Sequence, residues 1–216
     1  PKRGARAGNR RAGTRERLHR DGAGRNGMMG GMRADARANR QDLLAAAGRL
    51  LEEQGAAMSL RGVAQEAGVG VGTLYRHFPT RRDLLDAVLE DVVARVSGIL
   101  HAFLDGGGSA DRRWRRLAEE LAAVNLTSLV TAGDDLEAAD RPQEALIVEA
   151  EQVIISLTDR AVTEARRAGL VASGVTGTRY LTGLLAVTRP PAGELLARHA
   201  DQRDWLLGVY LRGLRP

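Results

Sequence analysis

The chain has 216 residues and no cysteine, which suits one moderate domain or two small ones with a proper core and excludes a disulfide framework, a thiol nucleophile and a Cys-ligated metal. No apolar run approaches the roughly 20 residues a membrane span requires, and the charged opening is not that of a secretory signal. The net charge of +5 divides unevenly, residues 1–33 carrying +8 and residues 34–216 carrying −3, so a polyanion-binding face on the body must rest on locally placed arginines.

Taken in order, residues 1–32 are rich in Arg and Gly and lack hydrophobic periodicity, so a disordered basic tail is expected. Two readings of it stand. One is a basic arm that adds non-specific phosphate affinity; the other, preferred, is non-native sequence ahead of a start at Met28, Met29 or Met32. Residues 36–54 read as a first helix, with Leu43, Leu44, Ala47, Leu50 and Leu51 in one apolar stripe and Gly55 as its stop.

The stretch from Ser59 to Phe78 reads S-L-R-G-V-A-Q-E-A-G-V-G-V-G-T-L-Y-R-H-F. Ser59 suits an N-cap, Val63, Ala64 and Ala67 recur at helical spacing, and Gly68 supplies the left-handed residue that ends a short helix, with Val69 in the corner. A second short helix buries Leu74 and Phe78 and turns Thr73, Arg76 and His77 outward. Two short helices about a glycine turn form a helix-turn-helix unit, whose second helix can enter a DNA major groove.

Pro79 breaks that helix, and Thr80 with Asp83 is a variant capping box, so a fourth helix is expected over 80–104. Its apolar positions, from Leu84 and Leu85 through Val88, Val92 and Val96 to Leu100 and Phe103, keep their period for over five turns, which makes it the link between two halves of the molecule. Gly106-Gly107-Gly108 ends it. Further helices are expected over 110–130 (Trp114, Leu117, Leu121, Val124 and Leu129 inward), 143–167 (Leu146, Ala150, Val153, Ile154, Leu157 and Ala161 inward), 174–187 and 201–214, the last two separated by Arg189-Pro190-Pro191. An acidic loop fills 131–142. Nothing reads as a strand, and the fold class is all-α.

The run A-G-V-x-x-G-T-L-Y-R-H-F-P-T followed by Leu84-Leu85 resembles the DNA-binding domain of TetR-family transcriptional regulators, closely from about Asn39 to Leu89. Many relatives carry serine where Gly70 sits; glycine caps more weakly by a few tenths of a kcal/mol, so a slightly looser turn is expected. After the disordered basic tail over 1–32, the resemblance implies a DNA-binding domain over 33–83 and a helical effector-binding and dimerisation domain over 84–216. It also implies DNA contacts from Arg61, Thr73, Tyr75, His77 and Arg81, with Arg76 turned outward beside them. Arg61 has the fork for a guanine edge; Thr73 offers a hydroxyl to phosphate and a methyl to thymine; Tyr75 and His77 can donate to phosphate, and Arg81 adds a backbone charge. The bland alternative is that Tyr75 and Arg76 are solvated surface and His77 packs.

Other constellations are weaker. Gly68 to Gly72 lacks the preceding strand of a phosphate-cradling fingerprint. The four histidines have no metal-ligand spacing, and neither metal nor cofactor is expected. His101, late in the fourth helix among apolar residues, reads as a core histidine or an effector contact. Family members enclose a small-molecule cavity between inner helices, which makes Trp114, Asn125, Ser128, Gln152 and Ser156 candidates beside His101; pairing with backbone or solvent is the alternative for each. Leu181, Leu184, Leu185, Trp205, Leu206, Val209 and Tyr210 are expected at a homodimer interface built by the last two helices, with Gly183 and Gly208 allowing close approach. The functional expectation is a cytoplasmic, non-enzymatic, dimeric regulator that binds double-stranded operator DNA, with no membrane partner, acts as a repressor, and is released by a small-molecule effector. The rivals are an all-α enzyme and a ligandless architectural DNA-binding protein.

Overall fold

The computed structural model describes residues 23–124, 135–188 and 202–216, with side chains from residue 35 onward. Among the described residues there are eight α-helices and no strand: α1 (Ala23–Gln54), α2 (Leu60–Glu66), α3 (Val71–His77), α4 (Arg81–Asp105), α5 (Ala110–Ala123), α6 (Glu144–Arg167), α7 (Gly177–Thr188) and α8 (Gln202–Gly213). The backbone divides into two compact units, Pro1–Ala38 and Asn39–Pro216.

In the first unit α1 begins at Ala23, ahead of the start expected near residue 36. Extending an existing helix adds one hydrogen bond per residue fixed. Residues 1–22 of the expected tail lie outside the described residues.

In the second unit, α1 buries Leu43, Leu44, Ala47, Leu50 and Leu51, and Ala46 joins them. Gly55, at φ +56, ends the helix. Ser59 accepts a hydrogen bond from the Gly62 amide at 3.1 Å, starting α2. Gly68, at φ +67, closes α2 as expected, a conformation a Cβ would strain. Thr80 and Asp83 form the full capping box at the start of α4: the Asp83 amide donates to Thr80 Oγ1 at 3.1 Å, and the Thr80 amide donates to Asp83 Oδ2 at 2.9 Å. At the far end of α4, Arg113 of α5 donates from Nη1 to the carbonyls of Phe103 and Gly106, satisfying groups the helix leaves open.

Two hydrophobic cores share α4. The first gathers Leu43 to Phe78 with Leu84, Leu85, Ala87 and Val88 of α4, and it takes in Leu136 from the loop before α6. The second begins at Val92 and gathers Val96, Leu100 and Phe103 with α5, α6, α7 and α8. The first core therefore runs five residues past the expected limit at residue 83, because the first two turns of α4 still face α1 and α3.

Later elements differ from expectation in detail. α5 is described to Ala123, and the remainder of the expected 110–130 helix, with Asn125, Ser128 and Leu129, lies outside the described residues, as does Arg189-Pro190-Pro191. On α6, Ala150, Leu157 and Ala161 are buried, whereas Val153 is exposed. Gly183 does permit a close approach, but within one chain: a Cβ there would lie 2.6 Å from Tyr210 Oη.

Candidate nucleic-acid interface

Helix α3 is seven residues long and is held from beneath by Leu74, fully buried, and by Phe78 just beyond its end. Its start is capped by backbone alone. Gly70 offers no side chain, and its carbonyl accepts from the Thr73 amide at 2.8 Å. With those two anchors inward, the helical period sends Val71, Tyr75 and Arg76 to the surface and leaves Thr73 and His77 half-buried at its margins. Tyr75 stands 49% exposed and belongs to neither hydrophobic core. Arg61, in the first turn of α2, is also exposed. Four hydrogen-bonding or charged groups at α3 and one at α2 are thus open to a phosphate or a base edge.

Arg81 departs from the expectation. Its side chain is only 22% exposed, Nη1 pairs with Asp140 Oδ2 at 3.3 Å, and Nη2 donates to the Ala56 carbonyl at 2.6 Å. A guanidinium held on two sides by the protein is not a free phosphate clamp, and its neighbour Arg82 donates from Nη2 to the Ala138 carbonyl at 2.7 Å. Sequence reasoning missed these partners because they lie 25 to 59 positions away along the chain. It also missed Arg40, whose guanidinium carbon sits 5.4 Å over the Phe78 ring and so holds a second charge at the edge of the unit.

Of the expected effector residues, His101, Trp114, Gln152 and Ser156 are described, and these four are not brought together. His101 is exposed, with Nδ1 2.8 Å from the Ser97 carbonyl, so it is neither a core histidine nor a cavity group. Gln152 and Ser156 lie on the outer face of α6, in an open groove of about 640 Å³ lined also by Val148, Glu151, Ile155, Asp159 and Arg160. The phase explains it: with Ala150, Leu157 and Ala161 inward, positions 152 and 156 turn away. Among the described candidates Trp114 alone is interior. It packs edge-on to Phe103, with centroids 5.6 Å apart, and against Tyr180 at 4.6 Å; Tyr180 in turn stacks on Tyr210 at 6.2 Å. Tyr210 Oη donates to the Tyr180 carbonyl at 2.7 Å, and burial pushes that phenol up to about 12. Burial raises the Tyr180 phenol further still. Among the described residues, neither Trp114 Nε1 nor Tyr180 Oη has a hydrogen-bond partner. Phe103, Tyr180 and Tyr210 were missed as a group, although a chain with two Phe, two Trp and three Tyr places four of its seven rings in this one ladder.

The expected interface splits. Leu184 is fully buried in its own chain, Tyr210 is half-buried and tied to Tyr180, and Leu181, Leu185 and Leu206 are half-buried. Trp205 at 58% and Val209 at 39% exposure remain presented outward. Among the described residues no group of His, Asp or Glu is arranged to hold a metal, and no helix is long and apolar enough to cross a membrane.

Residues 43–88 match the sequence profile of the bacterial regulatory proteins of the tetR family, the same span that builds the first core. An HTH-type transcriptional regulator of Staphylococcus aureus is 43% identical over 60 residues, 27% of this chain and 32% of that protein. The chain therefore matches about a third of the length of its curated relatives. Similarity of fold extends further. A TetR transcriptional regulator from Streptomyces coelicolor superposes with a TM-score of 0.64 at 28% identity, covering 82% of this chain and 98% of that one. A TetR regulatory protein from Mycobacterium vanbaalenii superposes at 0.59 with 29% identity, covering 86% and 99%.

Proposed function

We propose that the chain is a member of the TetR family of bacterial regulatory proteins, which it resembles in residues 43–88 and in fold, and that it is a homodimeric, sequence-specific DNA-binding repressor of transcription, released from its operator by a small-molecule effector. It is a transcription factor and not an enzyme. The observation that carries the reading is α3, whose Leu74 is sealed in the core while Tyr75 and Arg76 stand open beside Thr73 and His77. Phosphate contacts position such a helix and base-edge contacts give it sequence preference. One such helix makes too few contacts for useful specificity, whereas a two-fold dimer reads two half-sites about 34–36 Å apart. Repression follows from occupying a promoter.

The test is in vitro selection of bound DNA from a random pool at fixed salt. An enriched two-fold symmetric sequence is expected. Enrichment of no sequence above the starting pool overturns the reading.

The effector reading rests on the aromatic ladder of the second core. A buried N–H and a buried O–H without partners among the described residues cost about 1–3 kcal/mol each, and an acceptor on a bound molecule would relieve that cost. The ladder offers ring faces, and the Arg113 guanidinium lies 5.4 Å over the Phe103 ring, so the effector class is a planar molecule carrying a hydrogen-bond acceptor. A ligand shifts DNA binding only through its different affinity for two states of the protein, typically about 1–3 kcal/mol. For the ligand-free chain the consequence has an unusual sign: Tyr180→Phe should raise the thermal unfolding midpoint, because it removes a hydroxyl that is desolvated without compensation. A lowered midpoint would show that the hydroxyl is already paired and would remove the argument for an effector there.

A further inference from the structure

The loop before α6 returns to the DNA-binding unit and is bonded to it at four places. Leu136 inserts into the first core at 6% exposure. Arg82 donates to the Ala138 carbonyl at 2.7 Å, and Arg81 pairs with Asp140 at 3.3 Å while its other nitrogen holds the Ala56 carbonyl, beyond the end of α1. Asp86, 8% exposed on α4, accepts from the Gln143 amide at 3.0 Å through Oδ1 and from Gln143 Nε2 at 2.8 Å through Oδ2.

Gln143 is the residue at which α6 begins, so Asp86 binds the helix start where a carboxylate is favoured by the exposed amides and the dipole. The rest of α6 belongs to the second core through Leu157, Ala161 and Val162. Among the described residues this loop is a second link beside α4, along which one core gives way to the other between Val88 and Val92. A single helix resists stretching but allows bending and roll about one point. A second attachment, to the first turns of α4 and into the first core through Leu136, restricts that freedom.

We propose that residues 136–143 are a strap that determines operator specificity: by fixing each three-helix unit at a second point, it sets the distance between the two recognition helices of the dimer and hence the half-site spacing accepted. This rests on the DNA-binding reading above. Asp86, Arg81, Arg82 and Leu136 are positioning residues that act through α3 without touching DNA. It follows that Arg81 serves the strap, although the family motif assigns it to phosphate.

The experiment takes the selected two-fold sequence and lengthens or shortens its centre by one and two base pairs, measuring affinity for wild type, Asp86→Ala and Asp140→Ala. Asp140→Ala removes only a partly exposed pair, so it tests the strap even where Asp86→Ala reduces folding. The wild-type preference for one spacing is expected to flatten in the variants by a factor within the roughly 5–150-fold range of ordinary couplings between sites. The sequence preference within each half-site should be kept, and Asp86→Asn, which retains one acceptor for Gln143, should restore part of the spacing preference. Arg81→Ala should flatten the profile with no change in salt dependence, whereas loss of a phosphate contact would reduce the slope by about one. An unchanged spacing profile overturns the strap, and so does an equal loss of affinity at every spacing. If wild type enriches no two-fold sequence at all, it is the DNA-binding reading that fails first, and the strap falls with it.

Discussion

Leu74→Ala should destabilise the three-helix unit by about 2–5 kcal/mol, whereas Tyr75→Ala should leave the unfolding midpoint unchanged and remove roughly 1–3 kcal/mol of operator affinity. The two residues are neighbours on α3 and differ in what surrounds them. Leu74 is fully buried among Leu43, Val63, Phe78 and Leu84, so truncation leaves a cavity that a seven-residue helix cannot close without moving. Tyr75 is half exposed and belongs to neither core, so truncation removes surface and a hydroxyl only. Because Val92 and the residues beyond form a separate core, Leu74→Ala should also lower the first of two unfolding steps while the second stays in place. Denaturant titration followed by far-ultraviolet circular dichroism, beside gel-shift titration at fixed salt, reads both effects. Equal loss of stability in both variants would mean that Tyr75 supports the fold and is not held out for DNA. Unchanged operator affinity in Tyr75→Ala would take that residue off the interface.

The contrast also shows what kind of information the sequence carries. Ser59, Gly68, Thr80 and Asp83 act on partners three or four positions away, so their roles were readable from spacing alone, and α3 with its buried and exposed faces followed from them. The outer face of α6 was not readable, since Val153, Ile154 and Ile155 are all apolar and a helix rotated by one position satisfies the pattern almost equally well. Which rotation is adopted is decided by Asp86 holding Gln143 and by the small residues Ala150 and Ala161 against α4. The occupation of Arg81 was likewise hidden, because nothing near it in sequence announces Asp140 or the Ala56 carbonyl. The aromatic ladder joins positions 103, 114, 180 and 210, and its assembly depends on Gly183 letting Tyr210 lie against α7.

Trp205→Glu combined with Val209→Glu should convert the dimer to a monomer and remove specific operator binding, while most helical content remains. Trp205 and Val209 are one helical turn apart on α8 and are 58% and 39% exposed in the single chain. The inward side of the same helix, Leu207, Gly208 and Leu211, is buried in the second core and is untouched by the substitutions. A tryptophan presented this openly loses much by staying in water and gains most from a partner's surface. In a two-fold contact the patch meets its own copy, so two new carboxylates per chain become four in one interface, desolvated and of like sign. Breaking the dimer leaves each chain one half-site, and affinity should fall toward the non-specific level, typically by a factor of at least about 10³. Multi-angle light scattering over a range of protein concentrations measures the mass, and a gel shift on the selected sequence measures the binding. A variant that still weighs as a dimer would move the interface to the other exposed apolar face, Ile147, Val148 and Ile155 on α6, where Val148→Glu would then be the substitution that dissociates it.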